Sequence, residues 1–135
     1  MKEAYLEHAN LTVSNPDAMA AILCTIFNWQ VRWSGEAMDN GYTVHVGGKD
    51  SYLAIYTNDR VKTSDDNDFE TIKTLNHLGI IVNDLASTEE KVVAAGYKPH
   101  NHRHHQNHGS NSTPSSNFYF HTLDNLEIEV ICYGD

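Results

Sequence analysis

Apolar and polar residues alternate along two short segments of the chain, residues 6–13 and 75–82. Alternate side chains of a strand point to opposite faces, so this pattern predicts two half-buried strands. The two segments also resemble each other, because His8 and Val13 of the first correspond to His77 and Val82, 69 positions later. Self-similarity at a fixed offset predicts a duplicated structural unit with a histidine in each opening strand.

A helical pattern follows each of these strands. After the cap and proline signals of Asn15 and Pro16, apolar residues recur at three- and four-residue steps as far as residue 28, which predicts an amphipathic helix. In the second half, Asp84 or Ser87 is expected to cap a helix over residues 87–95. Gly96 is expected to end that helix in a left-handed conformation.

Strand-like runs complete both halves of the chain. They lie at residues 29–33, 42–46 and 52–56 in the first half, and at 97–100, 118–121 and 126–133 in the second. Each half is thus a predicted β-α-β-β-β module of an α+β fold, over residues 4–57 and 74–134, joined by a polar connection at 58–73. Residues 100–117 are polar and rich in histidine, which predicts a mobile loop inserted into the second module.

Length and charge narrow the functional classes. The chain has 135 residues, enough for one domain, and a formal net charge of −9. That charge disfavours a nucleic-acid partner. No apolar run is long enough to span a membrane, and residues 1–10 lack the apolar core of a signal peptide. Cys24 and Cys132 lie far apart within apolar runs, which is typical of reduced thiols and predicts a cytoplasmic protein.

Strand alternation places candidate metal ligands on equivalent faces. His8 and His77 are expected to point away from the helices, as are Glu127 and Glu129, either of which supplies a carboxylate. Two imidazoles and one carboxylate make a divalent-metal site with open positions, provided that the two half-sheets curve around a common cleft. Solvated strand histidines are the simpler interpretation, but their identical placement in both halves favours a metal site.

The duplicated modules, the two strand histidines and the closing segment "NFYFHTLDNLEIEVICY" (residues 117–133) resemble the vicinal oxygen chelate superfamily. This superfamily includes glyoxalases, extradiol dioxygenases, fosfomycin-resistance thiol transferases, methylmalonyl-CoA epimerases and bleomycin-binding proteins. The resemblance covers nearly the whole chain and implies paired modules that form a curved, cleft-enclosing mixed sheet. It also implies that His8, His77 and Glu129 hold a metal, with Glu127 as the fallback ligand.

Two positions depart from the pattern of this superfamily. The turn at residues 122–125 lacks the usual proline and glycine, although Asn125 can adopt a left-handed conformation. The fourth ligand of glyoxalases and epimerases falls on Ala54, which offers no donor atom. The resemblance therefore implies the three-ligand set of dioxygenases and fosfomycin transferases. In a glyoxalase or an epimerase, a water molecule would have to replace the fourth ligand.

The first functional hypothesis is a metal-dependent enzyme of the lyase, dioxygenase or thiol-transferase type that acts on a small molecule. Manganese, iron, nickel or zinc would serve as a Lewis acid, because all accept this ligand set. Glu127, Tyr56 and His121 are candidates for proton transfer, together with Tyr52 and His45. The pattern leaves the substrate and the identity of the metal open.

The alternative hypothesis is a metal-free protein that binds or sequesters a drug-like or aromatic molecule. Six aromatic residues would suit such a pocket, although sheet packing accounts for them equally well: Trp29, Trp33, Tyr42, Tyr52, Tyr56 and Tyr119. The histidines of residues 100–108 raise a third possibility, a flexible metal chelator or a lid, beside the simpler expectation of a solvated loop. The resemblance also implies a homodimer, with modules paired within one chain or across two.

Overall fold

The computed structural model describes residues 2–63, 69–108 and 113–134, without the side chains of residues 107 and 108. The chain divides into two compact units, Met1–Thr63 and Ser64–Asp135, here named unit 1 and unit 2. Among the described residues, each unit has a four-stranded sheet and one α-helix, and this confirms the predicted α+β fold of β-α-β-β-β modules.

Unit 1 contains the following elements in chain order: β1 (His8–Thr12), α1 (Pro16–Phe27), β2 (Gln30–Ala37), β3 (Gly41–Gly47) and β4 (Tyr52–Thr57). Its strands lie in the order β1-β4-β3-β2, with β1 parallel to β4 and the other pairs antiparallel. The parallel pair requires a crossover connection, which α1 and the following strands supply.

Unit 2 repeats this arrangement with β5 (Leu78–Ile81), α2 (Leu85–Ala94), β6 (His100–His108), β7 (Thr113–His121), a 3₁₀ turn (Leu123–Asn125) and β8 (Glu127–Tyr133). The strand order is β5-β8-β7-β6, with β5 parallel to β8. The sequence duplication therefore corresponds to a duplication of topology.

Local sequence signals account for both helices. The Asn15 side chain accepts a hydrogen bond from the Ala18 amide at 3.1 Å, which caps α1 as predicted. For α2 the cap is Asp84, whose Oδ1 accepts from the Ser87 amide at 3.0 Å, so the helix begins two residues before the predicted start. Gly96 follows α2 with a φ of 94°, the left-handed conformation expected of it.

The described parts of the segment 100–117 are strands and not the predicted loop. Residues 100–108 form β6, an edge strand paired antiparallel with β7. The sequence of β6 is too polar to be read as a strand by hydrophobic alternation, but an edge strand is held by the backbone ladder and presents much of its surface to water. Residues 109–112 lie outside the described part of the chain.

One face of each sheet packs on its helix and the other carries polar side chains. The buried side of unit 2 consists of fully enclosed apolar residues, among them Phe118, Phe120, Ile128 and Val130. Their neighbours along β7 and β8 therefore point to the opposite face, as strand alternation requires. The turn before β8 places Asp124 and Asn125 at φ 57° and 60°, which confirms the left-handed conformation predicted for Asn125.

Two further predictions concern the thiols and the membrane. Cys24 and Cys132 are both free cysteines. Within the described residues, neither helix is long and apolar enough to cross a bilayer.

Candidate functional site

His77 and Glu129 meet on the polar face of unit 2. The Nε2 of His77 lies 3.2 Å from Oε1 of Glu129, and their side chains are only 27% and 15% exposed. Gly79 of β5 pairs with Glu129 of β8, and His77, two residues before Gly79, projects from the same face. The structure thus brings together two of the three predicted metal ligands.

Asn117 and Tyr119 of β7 complete the surroundings of Glu129. The Asn117 amide donates a hydrogen bond to Oε2 of Glu129 at 2.7 Å. Tyr119 pairs with Glu129 across the ladder, and its ring meets that of His77 edge-on at 5.5 Å. Burial raises the pKa of the Tyr119 phenol, and the charge of Glu129 raises this pKa further. Sequence patterning did not single out Asn117, although Asn117, Tyr119 and His121 follow one another at two-residue steps and therefore share a face of β7.

A second carboxylate–imidazole pair lies on the same face. Oε2 of the buried Glu127 is 3.4 Å from Nε2 of His121, its partner across the β7–β8 ladder. The Nδ1 of His121 is 3.3 Å from Nε2 of His100, and these two rings stack at 5.1 Å. Two of the predicted proton-transfer residues are therefore adjacent, and His100 extends the pair into a row of three titratable groups.

Two buried polar atoms beside Glu129 have no hydrogen-bond partner within the described residues. They are Nδ1 of His77 and Oδ1 of Asn117. Most buried polar atoms in folded proteins are paired, and exceptions often indicate a functional site. His77 and Asn117 therefore each retain a polar atom that could bond to a group outside the described part of the chain.

His8 occupies the corresponding position in unit 1. Its Nδ1 lies 2.9 Å from Oε1 of Glu7, and this hydrogen bond is the main reason that the pKa of Glu7 is lowered. The imidazole stacks on the ring of Tyr52, its partner across the β1–β4 ladder, at 4.9 Å. With the Nδ1 proton donated to Glu7, the lone pair available for a metal lies on Nε2.

Tyr52 is the centre of an aromatic cluster in unit 1. The ring of His45 also stacks on it, at 4.8 Å, and the guanidinium of Arg32 lies 4.5 Å from its centroid. Burial lowers the pKa of His45, and the positive charges of His8 and Arg32 lower it further. Burial also raises the pKa of Tyr52, as does the carboxylate of Glu7.

Tyr56 and Ala54 follow Tyr52 along the same face of β4. The Tyr56 hydroxyl donates to the Met38 carbonyl at 2.8 Å and accepts from the Asn58 amide at 2.9 Å. Ala54 pairs with His45 across the β3–β4 ladder. An imidazole therefore lies beside the position at which the resemblance implied a missing fourth ligand.

Across the described ranges, no group of three or more His, Cys, Asp or Glu side chains is arranged to hold a metal ion. The predicted ligands are divided between the units, with His8 in unit 1 and the pair His77–Glu129 in unit 2. Of the predicted proton-transfer residues, Glu127 and His121 lie in unit 2 and Tyr56 lies in unit 1.

The family model of the Glyoxalase/Bleomycin resistance protein/Dioxygenase superfamily matches residues 5–130. The chain belongs to this superfamily. The match spans both units and confirms the resemblance to vicinal oxygen chelate proteins. Superfamily membership fixes neither a substrate nor a reaction, because the same fold supports several chemistries.

Solved structures of similar fold include several superfamily members. A glyoxylase/bleomycin resistance protein/dioxygenase domain from Frankia sp. EAN1pec is 20% identical, with a TM-score of 0.74 over 98% of this chain and 99% of that one. A fosfomycin resistance protein, FosX, from Listeria monocytogenes, in complex with manganese(II) and sulfate, is 15% identical, with a TM-score of 0.70 over 98% and 93%. A glyoxalase family protein from Enterococcus faecalis is 15% identical, with a TM-score of 0.69 over 94% and 96%. No curated protein matches the chain.

Proposed function

We propose that this superfamily member is a metal-dependent enzyme that acts on a small molecule, with His8, His77 and Glu129 as its metal ligands. The observation that carries the proposal is the contact of His77 with Glu129, whose second oxygen is held by Asn117. Manganese is the first metal to test, because FosX of similar fold was solved with manganese(II). Iron, nickel and zinc accept the same donors.

The donors of unit 2 suit such an ion in type and in burial. An imidazole nitrogen and a carboxylate oxygen 3.2 Å apart can both approach one cation. Asn117 restrains Glu129 as outer partners of metal ligands commonly do. One feature limits affinity. When a metal takes Nε2 of His77, the ring proton must lie on Nδ1, for which the described residues offer no acceptor.

His8 is proposed as the third ligand, through Nε2. Its hydrogen bond to Glu7 fixes the ring proton on Nδ1, and its stacking on Tyr52 restrains the ring. Both contacts prepare a ligand nitrogen before any metal binds. We further propose a homodimer, in which the third ligand comes from the same chain or from the partner.

The bound cation would supply Lewis-acid stabilisation of negative charge on adjacent substrate oxygens. Glu127 and His121 are the proposed proton carriers. Oε2 of the buried Glu127 lies 3.4 Å from Nε2 of His121, whose Nδ1 lies 3.3 Å from Nε2 of His100, so a proton would pass along this row. Tyr56 is assigned a substrate-positioning role, because its hydroxyl proton is already donated to the Met38 carbonyl.

Elemental analysis of untagged protein tests the ligand set. In a background with His102 and His104 both replaced by Asn, we expect about one equivalent of divalent metal per chain when Glu129 is present and none after Glu129→Ala, since a lost carboxylate ligand removes charge as well as a donor. Glu127→Ala is the matched control, because it removes a carboxylate from the same strand and face without touching the ligand set. Stoichiometric metal in Glu129→Ala would overturn the assignment.

Histidines of β6 can bind ions independently, so each protein is also prepared with His102→Asn and His104→Asn. Point substitutions are preferable to deleting the histidine-rich segment, because residues 100–108 form a strand whose removal would expose the edge of β7. Circular dichroism of every variant verifies that the fold persists.

The metal-free binder remains the second candidate, and unit 1 offers one observation in its favour. The Trp33 side chain is 51% exposed and meets His45 edge-on at 5.2 Å, next to the stack of His45 on Tyr52. Exposed aromatic surface of this kind suits flat aromatic ligands. A wild-type protein without metal that binds an aromatic ligand, with Trp33→Ala abolishing binding, would favour this function.

Mixing two variants tests whether ligands are shared between subunits. His8→Ala lacks the ligand of unit 1 and Glu129→Ala lacks one of unit 2, so neither protein should hold metal alone once His102 and His104 are also replaced by Asn. After unfolding and refolding together, metal uptake returns only if a site combines ligands from two chains. Light scattering on the same samples gives the oligomeric state.

A further inference from the structure

The strand β6 carries a bulge that distributes its histidines between the two faces of the sheet. His100 pairs with Tyr119 and Arg103 pairs with Asn117, so β6 contains one residue more than β7 between these positions. Asn101 absorbs the irregularity with a φ of 54°. His100 and Arg103 consequently share the polar face of Glu129, and His102 is turned to the helix side.

His102 and His104 lie together on this helix side, next to Glu89 of α2. The Nε2 of His102 contacts Oε1 of Glu89, and its ring stacks on Phe118 at 5.7 Å. His104 pairs with Ser116, and its Nδ1 lies 2.9 Å from the Ser116 hydroxyl. Phe118 and Ser116 are two residues apart on β7, which confirms that both histidines project from the same face.

We propose that His102, His104 and Glu89 form a binding site for a borderline divalent transition metal such as zinc, nickel or copper. Two imidazoles and one carboxylate are the donors these ions prefer. This site lies on the opposite face of the unit 2 sheet from His77 and Glu129, and it is independent of the proposed enzyme site.

The spacing of the donors allows joint coordination. Residues two apart on a strand have Cα atoms about 6.6–6.8 Å apart. Histidine side chains span this separation when their nitrogens converge on an ion at about 2.0–2.1 Å. His102 already contacts Glu89, but within the described residues the three side chains are not arranged around an ion, so the exposed His104 would have to rotate away from Ser116 to join them.

The β6 ladder distinguishes this site from a flexible histidine chelator. Backbone pairing fixes which histidines can act together, so His100 and His105 are excluded by their face. His100 is also engaged with His121. An unstructured tract would use all of these imidazoles interchangeably, because it has no fixed geometry.

Isothermal titration with zinc tests the proposal, with His77→Ala as the background so that the proposed enzyme site does not contribute. We expect one zinc equivalent to remain in this background. Outer partners of metal ligands are worth about 10–100-fold in affinity, so loss of a ligand in His102→Asn or His104→Asn should weaken zinc by at least about tenfold. Glu89→Gln should weaken it in the same direction.

His105→Asn is the matched control, because it removes a neighbouring imidazole from the opposite face of the same strand. Its zinc affinity should stay within about twofold of the background. Equal losses in His105→Asn and His102→Asn, or no zinc uptake in the background, would overturn the site. The same titrations in the wild-type chain separate the two proposals, since the equivalent that depends on His102 should persist whether or not His77 binds metal.

Discussion

Asn117 holds one oxygen of Glu129 and leaves the other facing His77. The amide donates to Oε2 at 2.7 Å, while Oε1 lies 3.2 Å from the imidazole Nε2. A glutamate side chain has three rotatable torsions, and each one fixed before binding lowers the entropy cost of coordination. Strand alternation determines only the face from which Glu129 projects. Asn117 fixes the orientation of the Glu129 carboxylate on that face and is thus a positioning residue.

Asn117→Ala should weaken manganese binding by about 10–100-fold, which is the usual effect of removing an outer partner of a metal ligand. Competition with a metal-sensitive dye measures this change. Asn58→Ala is the control, because that amide bonds to Tyr56 in unit 1 and does not contact Glu129. If both variants bind manganese as the wild type does, Asn117 has no positioning role.

Two glycines in strands differ in what an added methyl group would meet. A Cβ at Gly47 would lie 2.3 Å from the Ser51 carbonyl oxygen and 2.5 Å from Cα of Tyr52. Because both atoms belong to the backbone, Gly47→Ala must displace β4 and should lower the free energy of unfolding by about 1–3 kcal/mol. The stack of Tyr52 on His8 should loosen with it.

Gly79→Ala is the matched comparison for Gly47→Ala. No described atom lies within 4 Å of a Cβ at Gly79, outside its chain neighbours. A compatible glycine-to-alanine change stabilises by about 0.4–1 kcal/mol, because the unfolded chain loses freedom. Urea denaturation of both variants should therefore give changes of opposite sign. A loss of stability in Gly79→Ala similar to that in Gly47→Ala would contradict the close-approach argument.

Local periodicity explains how much of the fold was predictable. The alternation of apolar and polar residues around His77 and within residues 126–133 shows from a few neighbouring residues which side chains share a face. The duplication places His8 at the position in the first module that His77 has in the second. The superfamily match then confirms the architecture. The contact of His77 with Glu129 follows from faces together with the parallel pairing of β5 and β8.

Long-range register explains what the sequence did not reveal. Asn117 and His100 fell in a polar segment predicted to be a loop. The β7–β8 ladder places Asn117 beside Glu129, and the β6–β7 ladder places His100 beside His121. Similarly, the proximity of His45 to Ala54 depends on the pairing of β3 with β4. Strand register is fixed by backbone hydrogen bonds, which do not depend on the side-chain hydrophobicity by which strands are recognised in a sequence.

Leu23 is a fully buried position at which truncation of the side chain should strongly destabilise unit 1. Leu23 lies in α1 and its side chain is fully buried, so Leu23→Ala should destabilise by about 2–5 kcal/mol through lost burial and a cavity. Both tryptophans of the chain, Trp29 and Trp33, lie in unit 1. Their fluorescence during urea unfolding therefore reports on this unit.

Thr25→Ala provides the control in the same helix. The Thr25 side chain is exposed and donates to the Ala21 carbonyl within α1. Its removal should change the free energy of unfolding by no more than about 0.5 kcal/mol, as is usual for surface positions. Equal effects of the two variants on tryptophan fluorescence would mean that α1 does not cover the core of unit 1.

His45 should make the stability of unit 1 depend on pH. Burial, reinforced by the positive charges of His8 and Arg32, lowers the pKa of His45 in the folded protein. The unfolded chain has the ordinary value of about 6.5, so it binds more protons than the folded chain as the pH falls from about 7 through the folded pKa. The free energy of unfolding should therefore decrease over that interval.

His45→Phe removes the titration and keeps a ring against Tyr52, so the decline of its urea midpoint between about pH 8 and pH 5 should be shallower than that of the wild type.

Arg32→Gln tests the cause of the pKa shift, because removing this positive charge should raise the pKa of His45 toward its ordinary value, as measured by proton NMR of the ring. Glu7 acts in the opposite direction, since its negative charge raises the pKa of His45. Glu7→Gln should consequently lower the pKa of His45 further. Identical NMR titrations of His45 in the wild type, Arg32→Gln and Glu7→Gln would show that these charges do not affect its pKa.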